Sequence, residues 1–91
     1  MPEYLVELYI SRSNGGAVAE GAESARRAAE ELGREGVRIR YVQSIFVPEE
    51  ETCFFLYEAA SVEAVREAAR RAALPFEHVT EAVTQAKGVE Q

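Results

Sequence analysis

The order of hydrophobic patterns along the chain is the feature that most restricts its fold. Period-two alternation, which is typical of strands, occurs at residues 3–10, 37–47, 52–58 and 76–83. Apolar stripes with the helical period occur at residues 17–34 and 61–73. The resulting order of strand, helix, strand, strand, helix and strand is that of the split βαβ motif.

Two of the predicted strands are apolar on both faces. In the first strand, Tyr4 and Val6 alternate with Leu5 and Tyr9, and residues 53–57 of the third strand have the sequence CFFLY. Strands of this kind usually lie inside a sheet, and the split βαβ order places the first and third strands there. The sequence therefore predicts an α+β fold of the ferredoxin-like βαββαβ type, in which two helices cover one face of a four-stranded antiparallel sheet.

The second and fourth strands carry further local signals. Alternation fails at residues 45–47, which are all apolar, and this predicts a bulge near Gln43 and Ser44. The charged segment at residues 48–51 predicts a hairpin turn between the second and third strands. In the last strand, simple alternation predicts four side chains on one face, namely Phe76, His78, Thr80 and Ala82.

Length and charge exclude several classes of protein. The 91 residues include 10 basic and 16 acidic side chains, for a net charge of −6. We expect one domain at residues 1–83, a fraying tail at residues 84–91, and no nucleic-acid partner, since phosphate binding needs clustered basic residues. No apolar run in the sequence approaches the roughly 20 residues that cross a bilayer, so we expect no membrane partner. The sequence begins without a basic and then apolar segment, and we expect no secretory signal.

The cysteine content bears on the cellular compartment. Cys53 is the only cysteine, so an internal disulfide framework is excluded and a reducing, cytoplasmic location is expected. Its neighbours Phe54 and Phe55 are apolar, which predicts a buried and unreactive thiol, because thiolate formation needs an electropositive neighbourhood.

Four side chains are candidates for binding a ligand on the sheet. Glu7 lies in the middle of a central strand, where a carboxylate must be paired, hydrated or protonated. Arg38 or Arg40 of the second strand could reach the same face. Two interpretations stay open: a salt bridge on the sheet face or at a dimer interface, or a polar anchor for a small ligand formed by Glu7, Tyr9, Arg40 and His78. For His78, the only histidine, a structural edge residue is the alternative. Three tyrosines could line such a pocket or pack in the core or an interface, namely Tyr9, Tyr41 and Tyr57.

Several segments carry a resemblance to a known family. Residues 4–7 (YLVE), 53–59 (CFFLYEA) and 61–72 (SVEAVREAARRA), followed by Leu74 and Pro75, resemble a family of small ferredoxin-like domains of unknown function. Some members of that family are described as nickel-binding. The resemblance covers residues 4–83 and implies the fold above and, as an alternative function, binding of nickel or another transition metal. The metal-binding relatives carry histidines in the two helices, where this sequence has none, so the resemblance assigns no metal ligand here.

Three functions follow from these patterns. With both helices on one face, the other sheet face remains apolar, which predicts a small homodimeric binding or accessory domain presenting that face to a second subunit or a small ligand. The second hypothesis is a nickel-binding or other metal-binding protein. The third is a cofactor-free enzyme of the dimeric α/β-barrel kind, an analogy from the fold, with Glu7, Arg40 and His78 as the available groups. No cofactor is assigned.

Overall fold

The structure is a computed structural model that describes residues 1–85. Its elements follow the predicted order: β1 (Glu3–Tyr9), α1 (Gly16–Arg34), β2 (Ile39–Val47), β3 (Thr52–Ala59), α2 (Val62–Arg71) and β4 (Phe76–Ala82). Short 3₁₀ turns lie at Arg12–Asn14 and Pro48–Glu50. The predicted α+β ferredoxin-like fold is therefore confirmed. The predicted fraying of the tail falls mainly on residues 86–91, which lie outside the described residues.

The sheet has the strand order β2-β3-β1-β4, and every neighbouring pair is antiparallel. The two strands predicted to be central are central. Both helices pack against one face, and the core between them and the sheet is formed by side chains such as Val6, Leu8, Phe55, Tyr57, Leu32 and Val65. Small alanines on the inner sides of the helices, Ala25, Ala29, Ala68 and Ala69, let the helix axes approach the sheet closely.

The two α-helices end with the same motif. The second residue after each helix adopts a left-handed conformation: Gly36 has φ +95° and Ala73 has φ +59°. In both cases the next amide donates a 3.0 Å hydrogen bond to a carbonyl five residues earlier, as in a Schellman motif. Glycine adopts this conformation without steric cost, whereas the Cβ of alanine crowds the following carbonyl. The second helix therefore ends in a strained backbone.

Strand β2 contains the predicted bulge at a slightly different place. Its register against β3 skips Val42, one residue before the predicted Gln43 and Ser44. The extra residue exchanges the faces of the side chains that follow. Phe46 consequently packs against the core, whereas Ile45 is exposed on the opposite face.

Strand β4 contains a second bulge, which simple alternation did not predict. Its register against β1 skips Glu77, so that Phe76 pairs with Leu8 and His78 pairs with Glu7. The predicted placement of Phe76 and His78 on one face is therefore wrong. Phe76 packs against the core, and His78 lies on the other side of the sheet.

Candidate functional site

The candidate site lies on the sheet face that carries no helix, which we call the open face. The strand registers place on it Arg40, Gln43, Ile45 and Val47 from β2, Thr52, Phe54, Leu56 and Glu58 from β3, Glu3, Leu5, Glu7 and Tyr9 from β1, and His78, Thr80 and Ala82 from β4.

The middle of the open face is largely apolar. The row of side chains that crosses the sheet contains no ionisable group and consists of Gln43, Leu56, Leu5 and Thr80. Leu56 in this row is only 7% exposed. Toward the hairpin end, Ile45 is 46% exposed and Tyr9 is 57% exposed. Apolar surface of this extent on a small chain usually marks a binding surface.

Glu7 and His78 are the ionisable side chains of this apolar region. They are directly opposite each other on β1 and β4, and Phe54 is opposite Glu7 on its other side. Side chains in this relationship have Cβ atoms about 4.5–5.5 Å apart. None of the ion pairs formed within residues 1–85 includes Glu7. A carboxylate and an imidazole thus adjoin on an apolar surface, where both can reach a third group.

Arg40 lies on the open face but away from Glu7. Its Nη2 and Nε atoms donate to Oε1 of Glu58 at 2.9 and 3.2 Å. Glu58 is its direct neighbour across β2 and β3, whereas Glu7 lies two strands away. Within residues 1–85 of one chain, Arg40 is therefore paired with Glu58 and not with Glu7. Arg40 is largely exposed, so its pair with Glu58 contributes little to stability.

Tyr9 is the third predicted ligand-binding residue near the site. It lies on the same strand and the same face as Glu7, two residues farther along. Its ring is well exposed and can contact a bound molecule or a second protein chain. The structure thus brings Glu7, Tyr9 and His78 together, and leaves Arg40 at the margin of the sheet.

The other two tyrosines of the sequence analysis lie on the helix-covered side. Tyr57 is fully buried, and its ring meets that of Tyr41 edge-on with centroids 5.8 Å apart. Tyr41 shares a hydrogen bond with the hydroxyl of Ser44. The hydroxyl of Tyr57 has no hydrogen-bond partner in the structure, and burial raises the pKa of Tyr57. Both rings are part of the packing of the sheet and do not line the open face.

Cys53 occupies the core as predicted. Its side chain is fully buried, and desolvation raises the pKa of the Cys53 thiol. A thiol with a raised pKa forms little thiolate near neutral pH, so this group is unsuited to nucleophilic chemistry.

The described residues of one chain do not form a metal site by themselves. Within residues 1–85, no cluster of three or more histidine, cysteine, aspartate or glutamate side chains is positioned to hold a metal ion. Glu7 and His78 supply one carboxylate and one imidazole, fewer donors than a transition-metal site normally uses. Over the same residues, no helix has the length and apolar character needed to span a membrane.

The sequence analysis missed a cavity on the other side of the sheet. It has a volume of about 390 Å³ and lies where β1 ends, between α1 and the segment that joins α2 to β4. Phe55, Leu74, Glu20 and Gly21 are among its lining residues. The one local signal was Gly21, a glycine in the middle of a helix, which often has a packing or functional reason.

Comparison with known proteins is consistent with this architecture. The family model described as "Nickel responsive protein SCO4226-like" matches residues 4–82. The crystal structure of SCO4226 from Streptomyces coelicolor A3(2) is similar, with a TM-score of 0.75, 15% sequence identity, and coverage of 92% of this chain and 99% of that one. At this identity the likeness shows a shared fold. No curated protein matches the chain. Because the family model spans nearly all the described residues, the chain belongs to the SCO4226-like family of nickel-responsive proteins.

Proposed function

We propose that this chain acts as a small homodimeric binding or accessory domain, whose two protomers meet through their open faces and hold a small ligand between them. The observation that carries the proposal is the exposure of two large apolar side chains toward the hairpin end of the open face, where Ile45 is 46% and Tyr9 57% exposed. A chain of this size has a thin core, and a second copy is an economical way to bury more apolar surface.

A two-fold axis explains how the polar groups of the face are used. In such a dimer the same patch of each protomer contributes, so each Glu7 and each His78 occurs twice at the interface. A carboxylate enclosed between two sheets needs a compensating charge or hydrogen-bond donor. The neighbouring imidazole of His78 and the phenol of Tyr9 offer such donors, and a small polar ligand can offer another. Arg40, at the sheet margin, would lie at the rim of this interface.

We also propose that the domain works in the cytoplasm, in contact with proteins or small molecules and not with nucleic acid. The free and buried thiol of Cys53 suits a reducing compartment. The net charge of −6 opposes binding to a phosphate backbone.

Sedimentation velocity of the wild type and two lysine variants tests the dimer. Ile45→Lys places a charge on the open face toward its hairpin end, and Ala19→Lys places the same charge on the exposed side of α1. We expect the wild type and Ala19→Lys to sediment as dimers and Ile45→Lys as a folded monomer. A wild-type monomer at every concentration, or a dimer that survives Ile45→Lys, would overturn the proposal.

Nickel binding is a second candidate, favoured by the position of Glu7 opposite His78 across β1 and β4 and by the description of the family. One protomer offers two donors, and two protomers related by a two-fold axis would offer four, of types that suit nickel. Native mass spectrometry with and without added nickel tests this candidate. If the candidate is right, the wild-type dimer binds nickel. The bound nickel is lost in His78→Ala and kept in Glu63→Gln, a change on the outside of α2. An empty dimer would exclude it and leave the first proposal unaffected.

A cofactor-free enzyme is not proposed. In that hypothesis Glu7, His78 and Arg40 were the groups available to converge in one pocket. Arg40 is paired with Glu58 and lies two strands from Glu7, so the three groups do not converge.

A further inference from the structure

We propose that the cavity at the end of β1 binds a small organic cation, an ammonium group carried on an apolar or aromatic body. This site lies on the helix-covered side of the sheet. Tyr9, at the end of β1, borders both this cavity and the open face, but the proposal does not depend on dimerisation or on a metal.

The floor of the cavity is apolar and is formed by side chains that pack in the core. Leu8, Phe55 and Leu74 line it, and each is at least nine-tenths buried. The cavity volume of about 390 Å³ lies within the range of about 300–1,000 Å³ that is usual for small-molecule sites. A ring or short alkyl group placed on this floor would lose its contact with water and gain close packing.

The rim of the cavity carries one charge, and it is negative. Glu20 is the only ionisable side chain among the lining residues apart from the phenol of Tyr9. Asn14 and Ser24 add neutral polar groups beside it. A ligand that places its apolar body on the floor therefore meets a carboxylate and neutral acceptors at the mouth, which favours a cationic donor over an anion.

The carboxylate of Glu20 is available for a ligand. Other glutamates of α1 are engaged by arginines: Glu23 and Glu30 bind Arg26, and Glu31 binds Arg71. Within residues 1–85, none of the ion pairs includes Glu20. A cation at the mouth of the cavity can therefore pair with Glu20 without displacing an arginine of the same chain.

The second cavity of similar size lacks these properties. It lies between α1 and α2, has a volume of about 350 Å³, and is lined by arginines and glutamates that largely neutralise each other. Arg71 already binds Glu31 there at 3.1 Å, so a ligand would have to break existing pairs. Of these two cavities, the one beside Glu20 combines an apolar floor with one unpaired charge.

Two backbone features maintain the shape of the site. Gly21 has no side chain, which leaves room for the ring of Phe55 at the cavity wall. Ala73 lines the opposite wall and is held in the left-handed conformation at φ +59°. Residues other than glycine rarely adopt this conformation, and such backbone strain is often found near binding sites.

An NMR titration of the ¹⁵N-labelled protein with 2-phenylethylamine tests the proposal. The control ligand is phenylacetate, which has the same ring and the opposite charge. We expect saturable shifts of the amides around the cavity, with a Kd on the order of a millimolar for so small a ligand, and weaker binding of phenylacetate. Glu20→Gln should weaken binding of the amine about fivefold, whereas Glu63→Gln on the outside of α2 should leave it unchanged.

A cavity-filling variant provides an independent check. Ala17 lines the cavity on α1, and Ala17→Leu should abolish the amine-induced shifts while the amide spectrum elsewhere stays native. Absence of saturable shifts in the wild type, equal binding of phenylacetate, or unchanged binding in Glu20→Gln would each overturn the proposal. These outcomes are read at amides of α1 and of the segment after α2, on the helix-covered side of the sheet, so they can be told apart from failure of the open-face dimer.

Discussion

The ring of Phe55 occupies the space that a side chain on Gly21 would fill. A Cβ added to Gly21 would lie 2.9 Å from Cζ of Phe55 and 3.5 Å from Cδ2 of Leu74. Phe55 is fully buried on a central strand, so its ring has little freedom to withdraw. This contact fixes the distance between α1 and β3 at the wall of the cavity.

Gly21→Ala should therefore destabilise the fold. Overpacking lowers the unfolding free energy by about 1–3 kcal/mol, whereas the higher helix propensity of alanine raises it by about 1 kcal/mol. We therefore expect urea unfolding to show a net decrease of roughly 1 kcal/mol in the unfolding free energy. Gly33→Ala is the matched control, because a Cβ there meets nothing within 4 Å. It should raise the unfolding free energy by about 0.5 kcal/mol. Equal stabilisation by both substitutions would show that Phe55 can move away.

Ala73→Gly should stabilise the protein. Ala73 follows α2 with φ +59°, and glycine removes the clash of its Cβ with the following carbonyl. We expect an increase of about 1 kcal/mol in the unfolding free energy measured in urea. The end of α1 provides the reverse experiment. Because Gly36 has φ +95°, Gly36→Ala should lower the unfolding free energy by a comparable amount. A loss in both variants would mean that the two helix ends are not equivalent.

Tyr57→Phe should not weaken the fold, although Tyr57 is among the largest buried side chains. Its hydroxyl is buried without a hydrogen-bond partner, and removing it relieves a desolvation cost, for a gain of up to about 1 kcal/mol in unfolding free energy. Tyr41→Phe removes a hydroxyl that is bonded to Ser44, and should lose about 1 kcal/mol. Thermal unfolding of both variants at one protein concentration measures the contrast. A marked loss in Tyr57→Phe would indicate an internal water on that hydroxyl.

The ion pairs of Arg71 should make stability depend on acid pH. Arg71 donates hydrogen bonds to Glu35, at 2.8 Å, and to Glu67, at 2.9 Å, and thereby lowers the pKa of both carboxyls. A lowered folded pKa means that the stabilisation is complete above the ordinary carboxyl pKa near 4.5 and is lost as pH falls through the folded value. The Tm of Arg71→Met should be below that of the wild type at neutral pH and approach it near about pH 3.

Arg66→Met is the control for that experiment. Arg66 is exposed on α2, and no ion pair within residues 1–85 includes it, so its Tm difference from the wild type should be small at every pH. A difference for Arg71→Met that persists unchanged in acid would assign the effect to packing of its aliphatic stem.

The order of elements could be predicted because each carries its own periodicity. The stripe of α1 and the two-sided apolar strands β1 and β3 depend on side chains that are close in sequence, so the helix-covered face and the central strands follow from local pattern. The ion-pair partner of Arg40 could not be predicted in the same way. Which carboxylate lies opposite it depends on the β2–β3 register, and a one-residue bulge decides that register.

The cavity beside Glu20 depends on contacts between distant parts of the chain. Phe55 comes from β3 and Leu74 from the segment after α2, and they meet Gly21 only once the sheet and both helices have packed. A sequence pattern reports which residues are apolar and how often they recur. It does not report where packing between elements leaves empty space, so a lone glycine in α1 was the only local signal.

The two bulges also protect the sheet from uncontrolled assembly. Val42 and Glu77 interrupt β2 and β4, which are the two edges, whereas the central β1–β3 pairing is regular. A bulged edge presents an uneven row of amides and carbonyls, on which an incoming strand cannot form a continuous ladder. On β4, Glu81 also pairs with Tyr4 on the helix-covered side, where its charge disfavours an added strand. The chain can thus expose an apolar face while resisting fibril growth from either edge.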